Sequence, residues 1–395
     1  MRINYGQSVH SNEEIKACIK VLKTSTRMGS NVKKLEKKVA KLFSKKYCLM
    51  TNSGSSALLL LSEILKFKKN DEFISPVVTF PTSISSFLMK GMIPRFIDVD
   101  LQSLQINENL IEKNINKKTK FIIVPNLIGN VPNWKKINKI AKKHNLITIE
   151  DSADTIGSKL SNKNTGYFSD YSITSFYGSH IINCAGNGGA LCLNEKENYL
   201  KAKIIRSWGR TSSLFEKENF KSRFNFKLKG IPYDKKFVFK YLGHNLEPSE
   251  IGAAFGIVQF KKLKENLRIR KKNFTLHHKF FLNYNNLFIL PTQLSNVSTA
   301  WLAFPLIVKS NAPFKRTELQ KFLEKSNIQT RPIFTGNILK QPAFSIFSKF
   351  NKNKFFGNAD LITRGGLLIG LHQGINSKSI NYIHKKFDKF LKKFN

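Results

Sequence analysis

The residues whose types and spacing carry chemistry sit in one stretch, residues 171–190, reading YSITSFYGSHIINCAGNGGA. Its first six residues form an apolar run with the length of a short buried strand, and Gly186, Gly188 and Gly189 permit a tight backbone turn at its end. Between them lie Ser175, whose hydroxyl can hold an anion, and His180 five residues on. An imidazole with an ordinary pKa near ~6.5 is suited to taking and giving protons around neutrality. By themselves the two residues also fit a polar strand end followed by a satisfied polar side chain.

Two other stretches carry comparable groups. Residues 47–51 read as a strand running into Asn52-Ser53-Gly54-Ser55-Ser56, followed by an apolar helix over residues 57–65. A strand, a glycine turn and a helix start leave backbone N–H groups free for an anion. The same pattern serves as an ordinary strand-to-helix turn with a serine cap. Residues 146–151 (LITIED) read as a buried strand closed by Asp151. A carboxylate there must be solvated, paired or functional. Asp154, three residues later, is either a capping partner or a second polar group aimed at the same pocket.

Those groups need a scaffold. Ile15, Cys18, Ile19 and Leu22, then Val32, Leu35, Val39 and Leu42, recur at helical spacing and predict surface helices over residues 13–24 and 31–44. Strands are predicted at 73–75, 94–98, 121–125 and 190–193, with helices near 82–89, over 134–144, and over 201–210 ending at Gly209. The alternation predicts an α/β fold with a largely parallel sheet, whose ligands sit at the carboxyl ends of strands. Residues 52–56, 150–154 and 175–180 all lie at such ends. Residues 211–235 read as a polar, irregular surface loop. Residues 243–250 punctuate the chain, with Pro248 near the first turn of a helix through Ala253, Ala254, Val258 and Leu263. The expected division is a large α/β domain over 1–250 and a small α+β domain over 251–395. The latter would carry strands near 300–308, a helix over 316–325 and a closing helix with Ile380, Ile383, Phe387, Leu391 and Phe394 on one face.

Composition narrows the function class. The chain of 395 residues carries 66 Lys and Arg against 26 Asp and Glu, a net charge of +40. Such a balance invites a nucleic-acid reading. The lysines, however, are spread along the whole chain without a nucleic-acid motif, and heavy use of Lys, Asn, Ile and Phe is what compositional drift of a genome produces. A phosphorylated small substrate would still benefit from the field. No apolar run approaches the roughly 18 residues of a membrane span, and none at the N-terminus resembles a signal peptide, so a cytoplasmic protein is expected. Cys18, Cys48, Cys184 and Cys192 lack C-x-x-C spacing, so neither a disulfide framework nor a thiolate metal site is indicated.

Assembled, the segments Asn52-Ser53-Gly54-Ser55-Ser56, Val78-Thr79-Phe80-Pro81-Thr82, Glu150-Asp151-Ser152-Ala153-Asp154, Ser175 to His180, Trp208-Gly209-Arg210, Gly243-His244-Asn245-Leu246, and Gly336-Asn337 with Gln341-Pro342 follow one family's order. Over nearly its whole length the chain resembles the DegT-type pyridoxal-phosphate (PLP)-dependent sugar aminotransferases, of fold type I (aspartate aminotransferase-like). Within that family it resembles the nucleotide-sugar 3-dehydratases.

The resemblance implies roles. Backbone amides of Gly54, Ser55 and Ser56, with the Ser175 hydroxyl, would bind the cofactor phosphate, joined by Asn245 of a partner subunit in a homodimer with shared sites. Phe80 would stack on the pyridine ring, and Asp151 would pair with the protonated ring nitrogen. Aminotransferases of the family place a lysine at the position of His180 to bind the cofactor covalently, and no lysine occurs in residues 171–195. The cofactor, pyridoxal or pyridoxamine phosphate (PMP), would then be held non-covalently, with His180 as the acid–base catalyst. A neutral replacement in a decayed cofactor-binding regulatory protein is the opposing reading. Asp154 matches the dehydratases, where aminotransferases typically carry glutamine.

Arg210, Arg331 and Asn337 are substrate contacts by family position only. Dehydratases that carry an iron–sulfur cluster bear a cysteine-rich stretch after the Trp-Gly-Arg motif; here no cysteine follows Cys192, so the cluster-free kind is implied. That kind draws its amine from L-glutamate and removes the C3 hydroxyl of a nucleotide-linked 4-keto-6-deoxyhexose, feeding deoxysugar synthesis for surface polysaccharide. A nucleotide-sugar aminotransferase is the enzyme alternative. Residues 181–189 are one residue longer than the usual turn, and Ile181 replaces the usual second histidine.

Overall fold

The computed structural model describes residues 1–215, 220–352 and 354–394. Seven strands form the main sheet: β1 (Tyr47–Thr51), β2 (Glu72–Pro76), β3 (Ile93–Ile97), β4 (Thr119–Pro125), β5 (Ile147–Ser152), β6 (Tyr171–Ser175) and β7 (Gly189–Leu193), in the order β1-β7-β6-β5-β4-β2-β3. Only β7 runs against its neighbours β1 and β6. The parallel strands are buried on both faces and therefore read as apolar runs rather than as alternation. Helix Gly54–Ile64 packs Ala57, Leu58, Leu60, Leu61 and Ile64 into one core layer, and helix Trp134–Lys143 packs Trp134, Ile137 and Ile140 into another.

Local details depart from expectation where caps decide. The helix expected from residue 57 starts at Gly54, because the Ser53 side chain caps it. The helix expected over 201–210 spans Lys196–Arg206, since Trp208 (φ +59°) and Gly209 (φ +84°) turn the backbone left-handed. Residues 211–235 are not a plain polar loop. Their described part holds a short helix, Phe220–Phe224, and a two-stranded ribbon of Lys227–Leu228 and Ile231–Pro232, and it exposes Phe215, Phe220, Phe224 and Ile231.

A second, antiparallel sheet has the order Phe288–Ile289, Ala303–Val308, Gly366–Gly370, Thr330–Pro332. Helices Arg316–Lys325 and Ser377–Leu391 contribute Leu319, Leu323, Ile380, Ile383 and Phe387 to its core, while Phe394 falls beyond the last helix. One long helix, Glu250–Phe281, links the two sheets. At its start the Glu250 carboxylate accepts the N–H groups of Gly29, Asn31 and Val32, holding the N-terminus of helix Ser30–Leu42. It runs well past Leu263 because Arg270, Asn273, His277 and Phe281 stay buried along it. Among the described residues no helix is long and apolar enough to cross a membrane, and no cluster of His, Cys, Asp and Glu could hold a metal ion.

Candidate active site

Ser175 closes β6 directly opposite Gly189, the first residue of β7. The N-terminus of helix Gly54–Ile64 abuts this pair so closely that a side chain on Gly54 or Gly189 would crowd its neighbours. A Cβ on Gly54 would lie 2.9 Å from Ser175 Cβ, and one on Gly189 only 2.3 Å from the Ser53 carbonyl oxygen. Ser53 Oγ accepts the Ser56 amide at 3.0 Å and donates to Ser56 Oγ at 2.9 Å. The Ser56 amide, expected to face an anion, is thus already engaged. The Gly54 and Ser55 amides of the same turn, which the Ser53 cap does not engage, and the Ser175 hydroxyl are the remaining groups able to hold an anion.

The wall and floor of the cleft come from neighbouring strand ends. Asp151 ends buried in β5, accepting from Ser83 Oγ at 2.5 Å and from the Ala153 amide at 3.0 Å. Burial pushes its carboxyl above the usual range, opposed by those two hydrogen bonds and reinforced by Glu150. A cation against Asp151 would offset that penalty. Phe80 precedes helix Pro81–Met89 and stays half-exposed, its ring edge-on to Phe334 at 5.9 Å. Thr335 Oγ1 donates to the Thr79 carbonyl at 2.9 Å and the Ile338 amide to the Val77 carbonyl at 3.0 Å, drawing residues 334–338 onto this wall.

His180 is held by the turn between β6 and β7. That turn is pinned by Phe176 N–H to Gly188 O, Gly178 N–H to Gly186 O, and Cys184 N–H to Phe176 O, at 2.8, 2.8 and 3.1 Å. The rest of the turn is docked. Cys184 seats on the long helix, where a Cβ on Gly256 would come within 2.6 Å of its sulfur and one on Gly252 within 2.8 Å of its carbonyl. The imidazole Nδ1 lies 3.2 Å from the Ser175 carbonyl oxygen. A carbonyl only accepts, so Nδ1 carries the hydrogen and Nε2 keeps its lone pair.

Nε2 in turn stands 4.0 Å from Asp154 Oδ1. Burial lowers His180 to about 4; the Ser175 carbonyl opposes this and the Arg270 charge adds to it. Burial raises Asp154 to about 7, against the Ile128 amide and helped by Asp151. With the imidazole neutral, the contact is not an ion pair. It sets a base with a free lone pair beside a carboxyl group poised to titrate near neutrality.

The structure therefore brings together Gly54, Ser55, Ser175, Asp151, Asp154, Phe80 and His180. Others stand apart. Asn245 is exposed, and its side chain accepts the Glu247 amide at 3.4 Å. Arg210 lies over the Trp208 ring at 4.4 Å, and its Nε is buried without a partner among the described residues. Arg331 lies 5.6 Å from the Tyr5 ring. The Asn337 side chain is taken up internally, donating to Asp360 and accepting from the Leu339 amide.

Sequence reasoning missed Ser83, which orients Asp151, and Tyr5, whose phenol feels Asp154, Arg331 and Arg270. A buried serine in an apolar helix was the available signal for Ser83. None existed for Tyr5.

The site can be set against known proteins. The chain is 32% identical over 398 residues to the GDP-4-keto-6-deoxy-D-mannose 3-dehydratase of Escherichia coli O55:H7, covering 97% of this chain and 99% of that protein. In structure it is similar to the E. coli GDP-4-keto-6-deoxy-D-mannose 3-dehydratase with bound hydrated PLP (TM-score 0.86, 29% identity, 98% of this chain and 100% of that one). It is likewise similar to GDP-4-keto-6-deoxymannose 3-dehydratase with a trapped PLP-glutamate geminal diamine (TM-score 0.85, 29% identity, 97% and 99%). The family model of the DegT/DnrJ/EryC1/StrS aminotransferases matches residues 9–388. With the α/β fold and the strand-end site in place, the chain belongs to the DegT/DnrJ/EryC1/StrS aminotransferase family.

Proposed function

We propose that this protein is a PLP/PMP-dependent 3-dehydratase that removes the C3 hydroxyl of a nucleotide-linked 4-keto-6-deoxyhexose, with L-glutamate as amine donor. The observation that carries the reading is His180. It occupies the turn after the anion-binding strand end with Nδ1 committed to the Ser175 carbonyl, and residues 171–195 contain no lysine that could bind the cofactor covalently. The site fits the cofactor chemically: a helix N-terminus and hydroxyl for a phosphate, an exposed aromatic ring for a pyridine face, and a buried carboxylate for a ring cation.

Bound cofactor supplies an electron sink conjugated to the sugar. The chain's own residues do the rest. Gly54, Ser55 and Ser175 would hold the phosphate, Phe80 would cover the ring, and Asp151 would keep the ring nitrogen protonated. His180 Nε2 would serve as the acid–base group, its free lone pair accepting a proton and then delivering one to the departing C3 hydroxyl. Asp154, at 4.0 Å, is the neighbouring group able to share that proton. The trapped glutamate adduct of the similar dehydratase supports glutamate as donor.

Asn245 completes a partner's phosphate site in this reading, which requires a homodimer. Its exposure, and the apolar Phe215, Phe220, Phe224, Ile231 and Leu242 exposed in the preceding segment, support a surface covered by a second copy. The deciding experiment incubates purified protein with PLP, glutamate and GDP- or dTDP-linked 4-keto-6-deoxy sugars, and weighs the products by mass spectrometry. A 3-deoxy sugar with release of ammonia is expected. An amino sugar would instead establish an aminotransferase, and no turnover of glutamate despite bound cofactor would establish a binding protein.

A further inference from the structure

Arg270, on the long helix Glu250–Phe281, is a completely buried cation without a counter-ion among the described residues. Its Nη1 donates to the Leu302 and Trp301 carbonyls at 2.8 and 3.4 Å, and its Nε to Gln373 Oε1 at 2.9 Å. Nη2 has no partner among the described residues, and the Tyr5 phenol is the one acidic group whose field reaches the guanidinium. Burying an unpaired charge is costly, and a purely structural position would be better served by a neutral side chain. What Arg270 touches suggests its use.

A guanidinium only donates, so Gln373 must turn its Oε1 toward Arg270 and its Nε2 away. That Nε2 donates to the Ile181 carbonyl at 3.3 Å, where Asn266 Nδ2 also donates at 3.1 Å. Ile181 directly follows His180, whose own amide donates to the Tyr177 carbonyl at 2.9 Å. The backbone is therefore held on both sides of the imidazole.

Resting on the reading of His180 as the base, we propose that Arg270 is a positioning residue for His180, acting through Gln373 on the Ile181 carbonyl. Its charge works in the same direction. The groups facing the imidazole are the Ser175 carbonyl, Asp154, the Tyr177 ring at 5.8 Å and, from the long helix, Arg270. Tyr5 of the N-terminal arm lies within the fields of Asp154, Arg331 and Arg270. Arg270 is the one cation acting on His180, and it stays charged throughout the working pH range. It therefore disfavours the imidazolium and leaves Nε2 free to accept a proton.

The test is an NMR titration of histidine-labelled apoprotein, with the His180 resonances assigned by their loss in His180→Asn. Wild type should show the Nδ1-protonated tautomer. Arg270→Met removes the cation and should raise the His180 midpoint by about one pH unit. Gln373→Glu gives Arg270 a carboxylate and removes the donor to Ile181, so it should raise the midpoint too and broaden the tautomer distribution. In turnover, both variants should lower kcat about tenfold with KM for the sugar unchanged, which marks loss of orientation rather than of binding.

If Arg270→Met does not fold, Gln373→Glu carries the test. A folded Gln373→Glu protein whose His180 midpoint and tautomer match wild type overturns the proposal. Failure of the wild type to make a deoxysugar would overturn the functional reading alone, because the titration does not depend on turnover.

Discussion

His180 Nε2 and Asp154 Oδ1 stand 4.0 Å apart, on side chains delivered by the turn after β6 and by the segment after β5. Both groups are shifted away from charge by burial, the imidazole to about 4 and the carboxyl to about 7. The pair therefore presents, near neutrality, one free lone pair and one proton close to release. That is the inventory an elimination requires, in which a proton leaves carbon and a hydroxyl leaves as water.

The pair sets a pH signature for stability of the apoprotein. Asp154 binds its proton more tightly folded than unfolded, so its contribution is full below about 4 and is lost as pH rises toward about 7. His180 resists protonation when folded, so its contribution is present above about 6.5 and is lost as pH falls toward about 4. In wild type the two trends oppose each other between those values. Thermal unfolding from pH 4.5 to 8 should show Asp154→Asn gaining stability with rising pH relative to wild type, and His180→Asn losing it. Parallel curves for all three proteins would refute the assignment.

Replacing His180 by lysine should restore a covalent link to the cofactor. Borohydride treatment followed by mass spectrometry should detect reduced cofactor on His180→Lys and none on wild type, and product analysis should show amine transfer replacing deoxygenation. His180→Asn should slow turnover by about 10²- to 10⁴-fold, the usual worth of a positioned acid–base group, with cofactor binding intact.

Asp151→Asn removes the buried negative charge while preserving shape. A hydrogen bond to a charged partner contributes about 1.5–3 kcal/mol, so cofactor affinity read by absorbance titration should fall by roughly 10- to 100-fold. Ser83→Ala, which frees Asp151 Oδ2, should act in the same direction and more weakly. Equal affinities for all three proteins would mean that Asp151 does not face the ring.

Gly54→Ala places a methyl group 2.9 Å from Ser175 Cβ, and the crowding should cost about 1–3 kcal/mol. The expected result is a folded protein whose affinity for inorganic phosphate and for cofactor falls together. Unchanged phosphate affinity would place the anion elsewhere.

Asn245 and His180 should complement each other between chains. Mixing inactive His180→Ala with inactive Asn245→Ala protein under conditions of subunit exchange should recover activity, because half of each mixed dimer's sites then carry neither change. Continued inactivity, or a monomeric mass in light scattering, would rule out the shared site.

Much of the site was legible because the strands of the main sheet are buried on both faces. Residues 121–125 and 146–151 read as apolar runs, and polar residues at their ends stand out by contrast. Ser175, Asp151 and the Gly54 turn were visible for that reason, and His180 because residues 171–195 contain no lysine. Cap chemistry was less visible. The engaged Ser56 amide and the early end of helix Lys196–Arg206 depend on one hydrogen bond and one pair of left-handed residues. The exposure of Phe215, Phe220, Phe224 and Ile231 was hidden among the lysines of their segment.

What the sequence by itself determined was the chemistry on offer: a hydroxyl and a glycine turn at a helix start suited to an anion, a carboxylate closing a buried strand, and an imidazole in a stretch without lysine. What only the tertiary structure decided was how those groups are tuned. The Ser83 bond to Asp151 and the Arg270–Gln373–Ile181 chain join segments from about 70 to 190 residues apart, the Nδ1-protonated tautomer depends on a backbone carbonyl, and the proximity of Asp154 to His180 depends on how the ends of β5 and β6 lie side by side. Spacing along the chain cannot report such contacts. They arise when long-range packing buries the groups together, and burial sets their protonation.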